Sequence, residues 1–289
     1  MTRALLTGYV GACTVLLLVV QGLSPLRMIS APPLLATSAV LVIGSVAWIV
    51  RVVRRQRAPD VAPWMALVRH PFLLPWSLGL PPMVVLLVVL GWHMPPVTWD
   101  AMTYHLARAA YWRQWGTLAP FPTNDFRQTV FPGNADVLQL ITLLFAHTDT
   151  FVFVVQFTAY LIATVAVYGL GRQLTLAPLY ALIGAGAFAT MPEVVLQSTS
   201  AQNDLVAAAF TGCAVYFIID GLQRTRVASL ALSVVALGLA VGTKPTAFLI
   251  VPGVALGALA LLWTWRGSAL HLVPRPLPSR PQACCLPAW

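Results

Sequence analysis

Long apolar runs separated by short polar segments make up most of the chain. Eight of these runs predict membrane-spanning helices, because a helix needs about 20 predominantly apolar residues to cross a bilayer. The predicted spans are residues 4–23, 34–50, 72–92, 151–170, 176–191, 205–222, 227–242 and 246–265. The pattern therefore predicts an all-α polytopic membrane protein whose polar residues lie mainly between its spans.

One further apolar run, residues 135–146, has only about a dozen residues and is too short to cross a bilayer. We predict that it is interfacial or re-entrant, and the basic residues favour this interpretation. If the run does not cross, Arg172, Arg224 and Arg226 fall on the same side as the strongest basic cluster, residues 51–57. The positive-inside rule assigns that side to the cytoplasm. Residues 93–150 then form a long outer, periplasmic loop, which we expect to carry juxtamembrane helices.

Composition supports this class and excludes others. Hydrophobic residues make up 59% of the chain and charged residues only 9%, whereas a soluble domain has about 25% charged residues. The formal net charge of +9 is explained by topology, since the arginines lie between apolar spans rather than on one basic face, and no nucleic-acid partner is predicted. We expect a multi-pass protein of the inner (plasma) membrane.

The chain divides into three predicted regions. Residues 1–50 form an N-terminal two-helix membrane segment, and residues 51–265 form the transmembrane core with its outer loop. Residues 266–289 are rich in proline and arginine, lack periodicity and predict a disordered tail. The four cysteines show neither metal-ligand spacing nor a disulfide framework.

The longest polar interruption, from Pro95 to Asp136, is the first place to look for chemistry. Ionisable groups are rare in membrane sequence unless they have a function, and this stretch contains three acidic and three basic residues and one histidine. Residues 100–115 have helical character and predict a juxtamembrane helix. At helical spacing, Asp100, Tyr104, Arg108 and Tyr111 are expected to share one face.

The topology brings three groups of polar residues to the outer face. They are Asp100, His105, Arg108 and Arg127 in the loop, Asp204 with the preceding Gln202 and Asn203, and Lys244. A carboxylate can accept the proton of an attacking hydroxyl, and arginine or lysine can hold a phosphate. The set therefore favours group transfer from a lipid-phosphate donor. Each of these residues, taken alone, also has a structural interpretation. A carboxylate at a helix start is often a cap, and Lys244 can anchor a helix end by extending its ammonium group to the water boundary.

No cofactor is predicted. The sequence contains no P-loop, no G-x-G-x-x-G between a strand and a helix, no H-E-x-x-H and no cysteine–histidine set for zinc. Two distant carboxylates leave a divalent metal ion possible in principle but do not support one.

Three segments resemble a known group of enzymes. Trp99 to Arg108, followed by residues 121–124 and 127–128, is similar to the first outer loop of bacterial GT-C glycosyltransferases. The resemblance is closer to their family-39 group, the relatives of protein mannosyltransferases and aminoarabinose transferases. Residues 198–205 resemble the second acidic corner of that group, and residues 242–247 resemble a further recurring segment.

The resemblance implies transfer of a sugar from a polyprenyl-phosphate donor at the periplasmic face, with inversion at the anomeric carbon. It implies that Asp100 is the base or the acceptor-orienting carboxylate and that Asp204 is the second active-site carboxylate. Arg127 and Lys244 are the implied contacts to the donor phosphate, whereas His105 and Arg108 match the motif without an assigned role. The acceptor is not specified.

Two features depart from the group. The relatives usually continue through more spans, so the chain resembles a C-terminally truncated member, and an inactive chain is one expectation. Closely spaced carboxylates around Asp100 are also absent. The competing hypothesis is a non-enzymatic membrane transporter or assembly subunit that handles lipid-linked saccharides. A transporter is expected to place ionisable groups near the bilayer midplane, whereas these groups lie at loop corners.

Overall fold

A computed structural model of the chain describes residues 1–39, 44, 67, 69–257 and 259. Within these ranges all regular secondary structure is helical. The principal helices are α1 (Thr2–Leu23), α2 (Leu74–His93), α3 (Leu106–Trp115), α4 (Arg127–Val130), α5 (Asn134–Ala146), α6 (Phe153–Gln173), α7 (Pro178–Ala189), α8 (Pro192–Ser198), α9 (Asp204–Arg224) and α10 (Val227–Val241). Residues 31–39 are also helical. A single π-helical turn, Ala101–His105, leads into α3, and a 3₁₀ turn, Pro245–Leu249, follows α10.

Four helices are long and apolar enough to cross a membrane: Thr2–Leu26, Leu74–His93, Phe153–Gln173 and Asp204–Arg224. They coincide with predicted spans one, three, four and six, which confirms a helical membrane protein. The predicted fifth span, residues 176–191, corresponds to α7, and α8 follows beyond its predicted end. The two helices meet at 63° and together pass the same test as the two halves of one broken span. Each half begins with a proline, a residue favoured at the first helical position because it lacks an N–H to satisfy.

The other predicted spans are only partly represented. Span seven corresponds to α10, which has 15 residues, and span eight begins as the shorter apolar helix Pro245–Gly257. Most of span two, the basic cluster at residues 51–57 and the tail at residues 266–289 lie outside the described residues. The count of eight spans and the division into three regions therefore stay predictions.

Helix α9 is the central helix of the bundle. It packs against α6 on one side and α10 on the other, with α1 nearby. Of its most apolar 18-residue window, 61% is buried, against 11% for α2. Most of the apolar surface of α2 has no protein cover within the described residues, and only Leu87 and Gly91 are buried. This arrangement is expected of a helix facing lipid.

Helix α5 corresponds to the short apolar run. Its 13 residues span about 20 Å at 1.5 Å per residue, less than the thickness of a bilayer core. Six consecutive residues, 135–140, are buried, so protein covers every side of its first turns. Helix α5 is therefore held within the bundle against α3, α1 and α6, and it lies next to the predicted site.

Candidate functional site

The two late corners of the predicted site contact each other directly. Lys244 Nζ pairs with Asp204 Oδ1, which joins the end of the α10 segment to the first residue of α9. Beside this ion pair, Asn203 Nδ2 donates to the carbonyl of Thr243 at 2.9 Å. The structure therefore brings Asn203, Asp204 and Lys244 together, as the topology predicted.

The N-terminus of helix α5 forms hydrogen bonds with the corner at residues 242–244 and the end of α10 before it. The backbone N–H of Asn134 donates to Gly242 O at 3.0 Å, and Asn134 Nδ2 donates to Leu239 O at 3.2 Å. A Cβ atom on Gly242 would lie only 2.4 Å from Asn134 Nδ2. Glycine at position 242 thus permits the close approach that sets where Lys244 lies.

Helix α5 also forms hydrogen bonds with the other corner, at residues 201–204. Gln139 is fully buried, and its Nε2 donates to the carbonyls of Ala201 at 3.0 Å and Gln202 at 3.2 Å. The backbone carbonyl of Gln202 is therefore fixed by α5, whereas its side chain is partly exposed. The same short helix therefore positions both corners, residues 202–204 and residues 242–244.

The outer loop contributes a second, partly exposed ion pair. Arg127 Nη1 lies 3.5 Å from Asp100 Oδ1. Arg127 also donates to both carboxylate oxygens of Asp125, at 2.7 Å from Nη2 to Oδ2, and its guanidinium carbon lies 4.9 Å from the centre of the Tyr104 ring. The hydrogen bonds from Arg127 lower the pKa of Asp125. Arg127 is thus held in place on two sides while it faces Asp100.

A fully buried cluster lies beneath these accessible groups. Asp136 accepts from His105 Nδ1 at 2.6 Å and pairs through its other oxygen with Arg108 Nη2. Arg108 also donates to Phe131 O at 2.6 Å and to Pro132 O at 3.1 Å. Burial, followed by the positive charge of Arg108, lowers the pKa of His105 to about 3. His105 is consequently neutral at pH 7, and its Nδ1–H donates to the carboxylate of Asp136.

Electrostatic effects and contacts through α5 both connect the loop to the later corners. Burial raises the pKa of Tyr104 to about 12, and the charges of both Asp100 and Asp204 contribute to the rise. Asp100, Asp204 and Lys244 likewise all act on the pKa of His105. Helix α5 joins the same regions by direct contact, because Asp136 accepts from His105 and pairs with Arg108 while Asn134, two residues earlier, donates to Gly242.

Accessibility divides the predicted residues into two sets. The side chains of Asp100 and Asp204 are 45% and 36% exposed, so water or a substrate can reach both. His105 and Arg108 are only 1% and 2% exposed and are occupied by internal partners. Their predicted part in substrate binding stays a prediction.

Sequence reasoning did not single out Asp136 or Gln139. Asp136 is the only charged residue of the apolar helix α5, and a lone charge next to an apolar run is a recognisable sign of a polar partner. Gln139 offers no comparable sign, because its partners are backbone carbonyls far along the chain. Among the described residues, no three histidine, cysteine, aspartate or glutamate side chains are grouped so that they could hold a metal ion.

Apolar crossing helices joined by charged corners define a multi-pass membrane protein with a polar site at helix ends. Residues 132–274 match the family model of dolichyl-phosphate-mannose-protein mannosyltransferases. The match covers 143 of the 289 residues, and it confirms the resemblance to GT-C membrane glycosyltransferases that the motifs indicated. No curated protein and no solved structure gives a match. The matched segment contains Asp136, Asp204 and Lys244 and begins shortly after Arg127.

Proposed function

We propose that this protein transfers a sugar from a polyprenyl-phosphate donor to an acceptor hydroxyl at the extracytoplasmic face of the inner membrane. One observation carries the proposal: two accessible carboxylates, Asp100 and Asp204, each have a cation beside them and act on the same buried side chains. Proton acceptance and phosphate binding are thereby available within one region. The family whose model matches residues 132–274 supports the same chemistry.

The proposed reaction is a single displacement. The acceptor oxygen attacks C1 of the sugar while the bond from C1 to the phosphate oxygen breaks, so the configuration at C1 inverts. Asp100 takes the proton of the acceptor hydroxyl, or orients that hydroxyl, and the polyprenyl phosphate leaves with the electron pair. General-base catalysis of this kind typically contributes about 10²–10⁴ in rate.

The cations have a separate role in this proposal. Arg127 and Lys244 bind the phosphate and stabilise the negative charge that it gains as it leaves. Asp204 holds Lys244 in position and is the second carboxylate of the site. Gln202 and Asn203 contact the substrate beside Asp204. His105 and Arg108 stabilise the buried side of the site through their contacts with Asp136.

Replacing Asp100 with asparagine tests the assignment. Transfer is expected to fall by about 10²–10⁴ while the affinity for the polyprenyl-phosphate sugar is retained, because asparagine keeps the shape of the side chain but is a poor base. Radiolabelled sugar transfer and donor binding by the purified protein measure the two quantities. Asp149→Asn is the matched control, since Asp149 is also exposed and lies outside the site.

Each outcome has a definite meaning. Undiminished transfer in Asp100→Asn would remove Asp100 as the base. Donor binding and donor movement across the membrane, with no transfer by the unaltered protein to any hydroxyl acceptor, would favour the alternative of a saccharide transporter or assembly subunit.

The predicted orientation and the eight spans have their own test. Reporters fused at Asn124, Arg172, Gln202 and Arg226 are expected outside, inside, outside and inside, respectively. This order follows from the excess of basic residues on the cytoplasmic side. Reporters at Asn124 and Gln202 on opposite sides would separate Asp100 from Asp204 and would refute the shared site, whereas the fully reversed order would refute only the extracytoplasmic location.

A further inference from the structure

A second polar centre lies at the opposite end of α9 from Asp204. Asp220, in the last two turns of α9, is fully buried. It accepts from Ser229 Oγ at 2.6 Å and from Gln173 Nε2 at 3.4 Å. Three arginines from separate segments surround the same carboxylate within 4 Å. They are Arg3 (3.4 Å), Arg224 (3.4 Å) and Arg226 (3.7 Å).

The cations exceed what Asp220 can neutralise. One carboxylate faces three guanidinium groups, whose side chains remain 41%, 53% and 43% exposed for Arg3, Arg224 and Arg226. Each guanidinium has five N–H donors, and Arg3 uses one of them, on Nη2, for Ser229 Oγ at 3.2 Å. The remaining donors form a positively charged, accessible group with unused hydrogen-bonding capacity.

Helix-end electrostatics do not account for this placement. A cation is stabilised at the C-terminus of a helix and disfavoured at the N-terminus. Arg224 closes α9 and fits that rule, but Arg3 lies in the first turn of α1 and Arg226 immediately precedes α10. The two helix N-termini add further positive potential, so the region attracts an anion.

A cavity of about 270 Å³ opens beside this group. It is lined by Thr2, Tyr168, Gly169, Arg172, Gln173, Tyr216 and Arg224. A Cβ atom on Gly169 would lie 2.8 Å from Thr2 Cγ2 and 2.9 Å from the Tyr216 ring, so glycine lets these walls approach each other. Arg172 adds a fourth positive charge, and it does not contact Asp220.

The position of the cavity relative to the membrane indicates which kind of anion it binds. Helix α9 has 21 residues and is about 31 Å long at 1.5 Å per residue, close to the roughly 30 Å of a bilayer core. With Asp204 at one membrane boundary, the cavity lies at the other. Tyr168 and Tyr216 suit that level, since tyrosine is enriched where lipid headgroups begin.

We propose that this cavity binds the phosphate of an anionic phospholipid headgroup, with Arg172 and Arg224 as its direct contacts. Arg3 and Arg226 provide the surrounding positive potential. The site is separate from the proposed glycosyl-transfer site and does not depend on it.

The test measures binding of phosphatidylglycerol to the full chain in neutral detergent micelles, with phosphatidylcholine and inorganic phosphate as competitors. Arg172→Gln is expected to weaken phosphatidylglycerol binding about fivefold, and Arg172→Gln with Arg224→Gln about 25-fold, from about 1 kcal/mol per basic residue near a membrane surface. Arg27→Gln is the matched control because Arg27 is equally exposed and lies away from the cavity. The affinity of Arg27→Gln for phosphatidylglycerol is expected to stay unchanged.

Three results would overturn the proposal. Equal losses in Arg172→Gln and Arg27→Gln would show attraction by general surface charge alone. Displacement of the lipid by inorganic phosphate at equal concentration would assign the cavity to a free ion. Equal affinities for phosphatidylcholine and phosphatidylglycerol would exclude recognition of the anionic headgroup. Arg172→Gln leaves Asp220 and its partners intact, so the variant is expected to fold normally, and its unfolding temperature without added lipid checks this.

Discussion

Asp136 and Asp204 are both carboxylates paired with a cation near the proposed site, yet their surroundings differ. Asp136 is 1% exposed and is shared by Arg108 and His105, whereas Asp204 is 36% exposed and faces Lys244 alone. A buried charge that loses its partner is strongly destabilising, while a partly exposed pair contributes little. The comparison suggests that the buried cluster stabilises the fold, and that the exposed pairs are free to interact with a substrate.

The largest effect is expected from Asp136→Ala. Removal of this carboxylate leaves the Arg108 charge buried without a partner, which costs about 3–5 kcal/mol in the free energy of unfolding. Urea unfolding of the detergent-solubilised protein measures it. Asp149→Ala, an exposed acid outside the cluster, is expected to change stability by less than about 0.5 kcal/mol. A stable Asp136→Ala protein would show that the buried cluster does not stabilise the fold.

An intermediate effect is expected from Gly242→Ala. The new methyl group must displace Asn134, whose Nδ2 would lie 2.4 Å away, and such overpacking costs about 1–3 kcal/mol. Gly238→Ala is the matched control in the same helix, because nothing lies within 4 Å of its Cβ position. That variant is expected to be unchanged or slightly more stable, since alanine favours a helix by about 0.5–1 kcal/mol over glycine. Equal destabilisation of the two variants would contradict a special contact at Gly242.

The smallest change in stability is expected from Lys244→Gln. Its ion pair with Asp204 is about one-third exposed on both sides, and exposed pairs contribute at most about 1 kcal/mol. Under the proposed function, sugar transfer is nevertheless expected to fall, because the proposed contact of Lys244 with the donor phosphate is lost. Unfolding and transfer assays on the same preparation separate these effects. A loss of stability as large as that of Asp136→Ala would make Lys244 a structural residue and remove the contrast.

The parts of the fold that follow from local sequence were predictable. Helices α1, α6 and α9 coincide with continuous apolar runs, and a run of that kind has few alternatives in a membrane. The contact between Asp204 and Lys244 followed from the threading of two spans. The end of α7 agrees with the predicted end of span five at residue 191, since Pro192 disfavours the helical conformation of the residue before it. The short helix α8 beyond that point was not predicted.

The helical face in the outer loop shows why other details were not predictable. Asp100, Tyr104, Arg108 and Tyr111 were expected on one face, and their burial differs: Tyr104 and Arg108 are buried, whereas Asp100 and Tyr111 are partly exposed. The π-helical turn at Ala101–His105 has more residues per turn than an α-helix and changes the direction of the side chains. The partners of Asp136 and Asp220 depend on tertiary packing, which no local pattern in the sequence specifies.

The two charged ends of α9 also have a consequence for the lipid environment. One rigid helix carries an ionic group at each water boundary, so the protein matches a particular hydrocarbon thickness. In a bilayer of shorter or longer acyl chains, the helix must tilt or draw charge into the apolar layer, at a cost of fractions of a kcal/mol per Å. The proposed sugar transfer is therefore expected to peak at one acyl-chain length, and such a peak would make membrane thickness a regulator of the protein.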